Sequence, residues 1–146
     1  MEVQNQNKLF EKYPNIFKQK DLSPQETAMC WGICCGDGWF DIIDSLCFNI
    51  KSHVESENRK LDFEYQNKNK SIIPTKINYL DCQAVQVKSK FGSLRFYVNG
   101  SDKYIDGLIS MAGSMSCKVC EQCGKPGTQN SKGWVYTLCE ECRDDM

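Results

Sequence analysis

Ten cysteines stand in this chain of 146 residues, and four of them have a spacing that chemistry can use. Cys120-Glu121-Gln122-Cys123 and Cys139-Glu140-Glu141-Cys142 are two Cys-x-x-Cys pairs with 15 residues between them. A two-residue spacer turns both sulfurs of a tight knuckle toward one ion, and two such knuckles complete a tetrahedron of soft thiolate donors around zinc. Gly124 relieves the backbone of the first knuckle. The spacing predicts one structural Zn2+ ion on Cys120, Cys123, Cys139 and Cys142, with no open position for a reacting water. A thioredoxin-like redox pair needs one Cys-x-x-Cys and leaves the other unexplained. A zinc deaminase needs a Pro before its Cys-x-x-Cys, and no Pro precedes Cys120. Cys117 could also ligate but reads as a small buried residue ending the preceding helix.

Other residues offer less. Cys30, Cys34, Cys35 and Cys47 gather around a Gly36-Asp37-Gly38 turn at a spacing that matches no metal knuckle, so they read as packed thiols. Asp37 stands where it could cap the helix that follows, and with Trp39 it makes one candidate ligand or partner site. Lys88, Lys90 and Arg95 with the outward Tyr97 form a small basic and aromatic set that suits a nucleotide or nucleic acid. The sole histidine, His53, reads as a surface position near a helix end. No Walker loop, Gly-x-Ser-x-Gly, His-Glu-x-x-His or Rossmann fingerprint occurs, so no enzyme is expected.

The elements that must position these groups follow from periodicity. Residues 8–13 read as a short helix stopped by Pro14. Ile42, Ile43, Leu46, Cys47, Ile50 and Val54 fall on one helical face, predicting a helix over 39–54, with residues 56–70 read as a loop or frayed extension and Pro74 as a restart. Residues 84–88 alternate with Val85 and Val87 on one face, residues 94–98 with Leu94, Phe96 and Val98 inward, and 89–93 join them as a hairpin. Asp102 can cap a helix over 102–116, and 134–138 suit a strand leading into the second knuckle. The expectation is an α+β fold, helices packed on a small antiparallel sheet, with a body over 1–116 and a zinc-ribbon appendage over 117–146 packed on it.

Composition narrows the setting. Eighteen Lys and Arg against 19 Asp and Glu leave a net charge of -1, which gives no global pull toward nucleic acid or membrane. The polar N-terminus resembles no signal peptide, and no apolar run approaches the ~20 residues of a membrane span. Reduced thiols and a cytoplasmic location are expected.

Three blocks can be taken together: the run from Cys30 to Trp39 ending Cys-Gly-Asp-Gly-Trp, the Lys90-Phe91-Gly92-Ser93-Leu94-Arg95-Phe96-Tyr97 hairpin, and the terminal Cys-x-x-Cys-Gly-x-Pro-Gly knuckle. In this order they resemble a family of small proteins encoded by tailed bacteriophages and prophages. The resemblance spans most of the chain from Cys30 to Cys142, with 56–70 as an insertion relative to shorter members. It implies the cytoplasm of an infected bacterium and attaches no activity. The expected function is a zinc-stabilised, non-enzymatic binding protein acting on a host protein such as a defence component. The alternative is a nucleic-acid or nucleotide binder using Lys88, Lys90, Arg95 and Tyr97.

Overall fold

The computed structural model describes residues 1–68 and 76–146. The α+β class holds, with four α-helices, a three-stranded sheet and a two-stranded one among the described residues. Helix α1 spans Val3–Lys12, five residues more at its start than apolar periodicity suggests. Its beginning is set by a distant group: the Glu2 N–H donates to Asp37 Oδ1 at 2.9 Å. Tyr13 and Pro14 end it, and the Tyr13 hydroxyl and Lys12 ammonium both reach Asp44.

Helix α2 runs over Phe40–Lys68 and corrects the expectation of a loop across 56–70. The apolar stripe of its first half continues through Val54, Leu61 and Tyr65, all half-buried, and Glu57 pairs with Lys60 one turn on at 3.1 Å. Good helix formers without Gly or Pro carry the rest. Asn58 holds the returning chain by donating to Leu80 O at 3.0 Å and accepting from Leu80 N at 2.8 Å. Residues 69–70 and the expected restart at Pro74 lie outside the described residues.

Strands β2 (Gln83–Lys90) and β3 (Ser93–Asn99) form the expected antiparallel hairpin. A register shift between Ala84 and Gln86 lifts Val85 out of line, so Ala84 and Val87, rather than Val85 and Val87, face the core. The short strand β1 (Ile33–Cys34) pairs with β2 in parallel, making the sheet mixed in the order β1-β2-β3. Helix α3 (Lys103–Ser116) begins where expected, with Asp102 accepting from Ile105 N at 2.8 Å. Its buried Ser116 hydroxyl accepts from Leu94 N, so α3 seals the free edge of β3. Leu9, Phe17, Trp39, Ile43, Ile50, Val87 and Ile105 centre one core.

Beyond α3, strands β4 (Thr128–Gln129) and β5 (Thr137–Leu138) pair antiparallel, and Cys139 caps the short α4 (Glu140–Asp144). The strand expected over 134–138 is paired only at its last two residues, and Trp134 stands out in solvent. Among the described residues no helix is long and apolar enough to cross a membrane.

Candidate metal centre

Each Cys-x-x-Cys pair is shaped by its own backbone. In the first, the Gly124 N–H bonds to Cys120 O at 2.9 Å and Gly124 takes φ 81, a left-handed turn that favours glycine. In the second, Cys139 sits at the α4 N-terminus and its sulfur accepts from Cys142 N at 3.4 Å. Pairing of β4 with β5 and a bond from Glu121 N to Thr137 O at 3.0 Å bring the two knuckles together. The sulfurs of Cys120, Cys123, Cys139 and Cys142 all lie within 4.8 Å of one another, with Cys123 and Cys139 at 3.6 Å. A tetrahedral ion with metal–sulfur bonds of about 2.3 Å needs sulfurs about 3.8 Å apart, so the donor set fits a structural metal.

The thiols titrate as a group. Burial resists ionisation of Cys120, yet N–H groups of Cys139, Cys123 and Gln122 aimed at its sulfur bring it down to about 6. At Cys123 the Lys125 N–H favours the thiolate, but burial and the neighbouring sulfurs of Cys120 and Cys139 outweigh it. Cys142 is pushed up by its hydrogen bond with Cys139 and by burial. Four thiolates this close repel one another unless a cation stands between them.

The knuckle is seated on the body by the glycine turn. A Cβ on Gly38 would overlap the Cys120 carbonyl oxygen and come within 2.6 Å of Glu121 C, and one on Gly36 would lie 3.0 Å from Glu121 C. Only bare backbone lets the Gly38 N–H donate to Glu121 O at 2.7 Å. The Glu121 carboxylate takes the Gly36 N–H on one oxygen and the Ser89 hydroxyl on the other, each at 3.1 Å. The buried Trp39 indole N–H donates to Val119 O at 2.9 Å, and Thr137 Oγ1 donates to Gly92 O at the hairpin turn. Glu121 was not singled out from sequence; two glycines bracketing one residue beside a tryptophan signal such a close backbone approach.

The remaining candidates fall in different places. Asp37 does not cap the helix that follows it; its Oδ1 accepts from Glu2 N and Asn5 Nδ2. Those bonds hold its carboxyl below the usual range, the Asn5 amide first, and burial works the other way. Trp39 is wholly buried. Cys35 and Cys47 are buried, while Cys30 is half-buried and Cys34 exposed. Burial pushes the Cys35 thiol up to about 12 and the Cys82 thiol up to about 11. Among the described residues the terminal quartet is the only close group of three or more ligand side chains. Cys117 stays outside it, bonded to Gly113 O and Gln129 Nε2.

His53 is not at a helix end, because α2 continues past it. Its Nε2 lies 2.6 Å from Asp102 Oδ2 and its ring stacks on Tyr104 at 4.2 Å. Burial resists ionisation of Asp102, but the Ile105 N–H and His53 hold its carboxyl below the ordinary value. Lys88, Lys90, Arg95 and Tyr97 share the face of the hairpin opposite the core residues Val87 and Phe96. A cavity of about 550 Å³ between Ile16, Val54 and Leu80 contains none of the quartet. No family model matches the chain, and no curated protein or solved structure matches it either.

Proposed function

We propose that the chain is a zinc-stabilised, non-enzymatic binding protein whose partner is another protein. The observation that carries this reading is a groove of about 260 Å³ between α2 and α3, walled by Ile42, Leu46, Leu108, Met111 and Met115. Met111 is 62% and Met115 47% exposed, an apolar surface whose flexible thioether side chains adapt to an apolar helix laid in the groove. A tetrahedron of four thiolates suits zinc, and a closed S4 set supports a structural role for it. In the phage setting that the three sequence blocks imply, the partner is a protein of the infected bacterium, such as a defence component. A reducing cytoplasm suits a chain in which every cysteine is free of disulfides.

Two measurements test this. Elemental analysis of the purified protein is expected to give about one zinc per chain. Cross-linked affinity capture from infected bacteria is expected to retain a host protein with the wild type and lose it with Met111→Glu, a substitution at an exposed position. Identical captures from the two would remove the groove from the function, and a zinc-free folded protein would remove the metal.

A further inference from the structure

The outer face of the three-stranded sheet is a second surface, bordered by the opposite side of α3. Cys34, Lys88 and Arg95 stand in one row across the strands by register, Gln86 and Tyr97 form the next, and Lys90 pairs with Ser93 at the turn. No Asp or Glu occurs in β1, β2 or β3. Lys88 directly opposite Arg95 is a like-charge cross-strand pair, which by itself weakens a hairpin. Among the described residues neither of them, nor Lys90, joins an ion pair. Arg95 Nε is buried with no hydrogen-bond partner, at the edge of a cleft of about 370 Å³ that Tyr97, Ser110 and Ser114 also line.

The tip of the hairpin adds a backbone observation. Phe91 and Gly92 are the two central residues of the turn, with φ 53 and φ 70. Such a turn favours Asn or Asp before Gly, and a bulky side chain there is strained. Burial does not repay the strain, because Phe91 is 62% exposed, with the Lys90 ammonium 5.5 Å from its ring centre. Tyr97, at the far end of the same face, is 43% exposed.

We infer that this face binds single-stranded nucleic acid. Lys88, Lys90 and Arg95 meet phosphates, and the rings of Phe91 and Tyr97 stack on bases. Unpaired cations with no carboxylate among them select a polyanion. The two rings, separated by about 20 Å along β3, select one whose base faces are open, as a duplex's are not. An acidic protein would answer the cations and leave the rings without planar partners. The inference is independent of the α2–α3 groove.

Fluorescence anisotropy of the zinc-loaded full chain with labelled 12-nucleotide oligo(dT) and oligo(rU) tests it. Three phosphate contacts on a single strand predict an affinity that falls about 20-fold between about 50 and 200 mM salt. Lys88→Gln and Arg95→Gln are each expected to weaken binding and flatten the salt slope by about 0.7. Phe91→Asn separates structure from binding: the turn accepts Asn with less strain, so thermal stability should hold or rise while affinity falls about fivefold or more. No binding at the lower salt, equal or tighter binding of a duplex of the same length, or unchanged affinity in Phe91→Asn or Arg95→Gln would each overturn the inference. Displacement of the oligonucleotide by polyglutamate as readily as by unlabelled strand would assign the face to an acidic protein instead, and would overturn it too.

Discussion

Replacing Gly38 by Ala adds one carbon where the knuckle backbone lies. The φ of Gly38 is open to any residue, so the perturbation is steric alone. The Cβ overlaps the Cys120 carbonyl oxygen and lies 2.6 Å from Glu121 C, so reaching ordinary contact distances of about 3.5 Å takes a relative shift of more than about 1 Å. The neighbouring atoms are main chain and cannot rotate aside. A shift of that size stretches the 2.7 Å bond from Gly38 N to Glu121 O past its useful length and strains the 2.9 Å bond from the Trp39 indole to Val119 O. Overpacking costs about 1–3 kcal/mol and a buried hydrogen bond left unmade about 1–3 kcal/mol, giving a loss of about 2–6 kcal/mol. For a chain of this size that is a fall in Tm of about 6–20 °C, measurable by calorimetry on zinc-loaded protein. Gly107→Ala is the control: nothing lies within 4 Å of its Cβ, and in mid-helix the change should stabilise by about 0.5–1 kcal/mol. A Gly38→Ala protein that melts with the wild type would refute the account of how the knuckle is seated.

Other outcomes can be set down more briefly. A strong chelator, or Cys139→Ser, is expected to abolish slow amide exchange around residues 124–138 while it persists at 43–50 and 94–98; simultaneous loss everywhere would make the ribbon part of one cooperative core. Asn58→Ala strips both side-chain bonds from Leu80 and should lower stability by about 1–3 kcal/mol in urea titration, with no change expected in zinc content. The carboxyls of Asp37, Asp44 and Asp102 are all held low, Asp44 by Lys12 and Tyr13 against the pull of burial. Depressed acids contribute stability above the unfolded value of about 4, and that contribution is lost as pH falls through their folded values. Stability should therefore drop with acid below about pH 4, and Asp37→Asn, which keeps an oxygen for Glu2 and Asn5, should make that drop shallower; an unchanged slope would show the charge to be unimportant.

What could be read in the sequence was local. Each Cys-x-x-Cys pair, the Asp102 cap and the hairpin around Phe91-Gly92 rest on residues within a few positions of one another, where spacing alone carries the geometry. The misses come from contacts between distant segments. Asp37 looked like the cap of the helix beside it because nothing in its neighbourhood reveals that the Glu2 N–H arrives from 35 residues away. Strand β1 is two residues long and pairs with β2 only because the intervening α2 folds back, so it leaves no periodic trace. The polar run after Val54 hid Leu61 and Tyr65, whose spacing continues the buried stripe at helical period although charged residues dilute it. Glu121 passed as a spacer between ligands, and its bonds to Gly36 and Ser89 become visible only when the ribbon is seated.

The seam between Trp39 and Val119 joins residues 80 apart in the chain, which gives it a history during synthesis. At about 5–20 residues per second, the ribosome needs about 4–16 s after making Trp39 to make its hydrogen-bond acceptor. Through that interval the nascent body has its long helix and then its hairpin, but the bare backbone of Gly36 and Gly38 faces water. The indole N–H and the Gly92 carbonyl wait with it for Val119 and Thr137. The four clustered thiols come after both glycines and within 23 residues of Val119, so metal uptake on them and the sealing of an early-made surface would fall close together. Chains left without a metal on the quartet would then keep their glycine turn open to chaperones and proteases after the first half has folded.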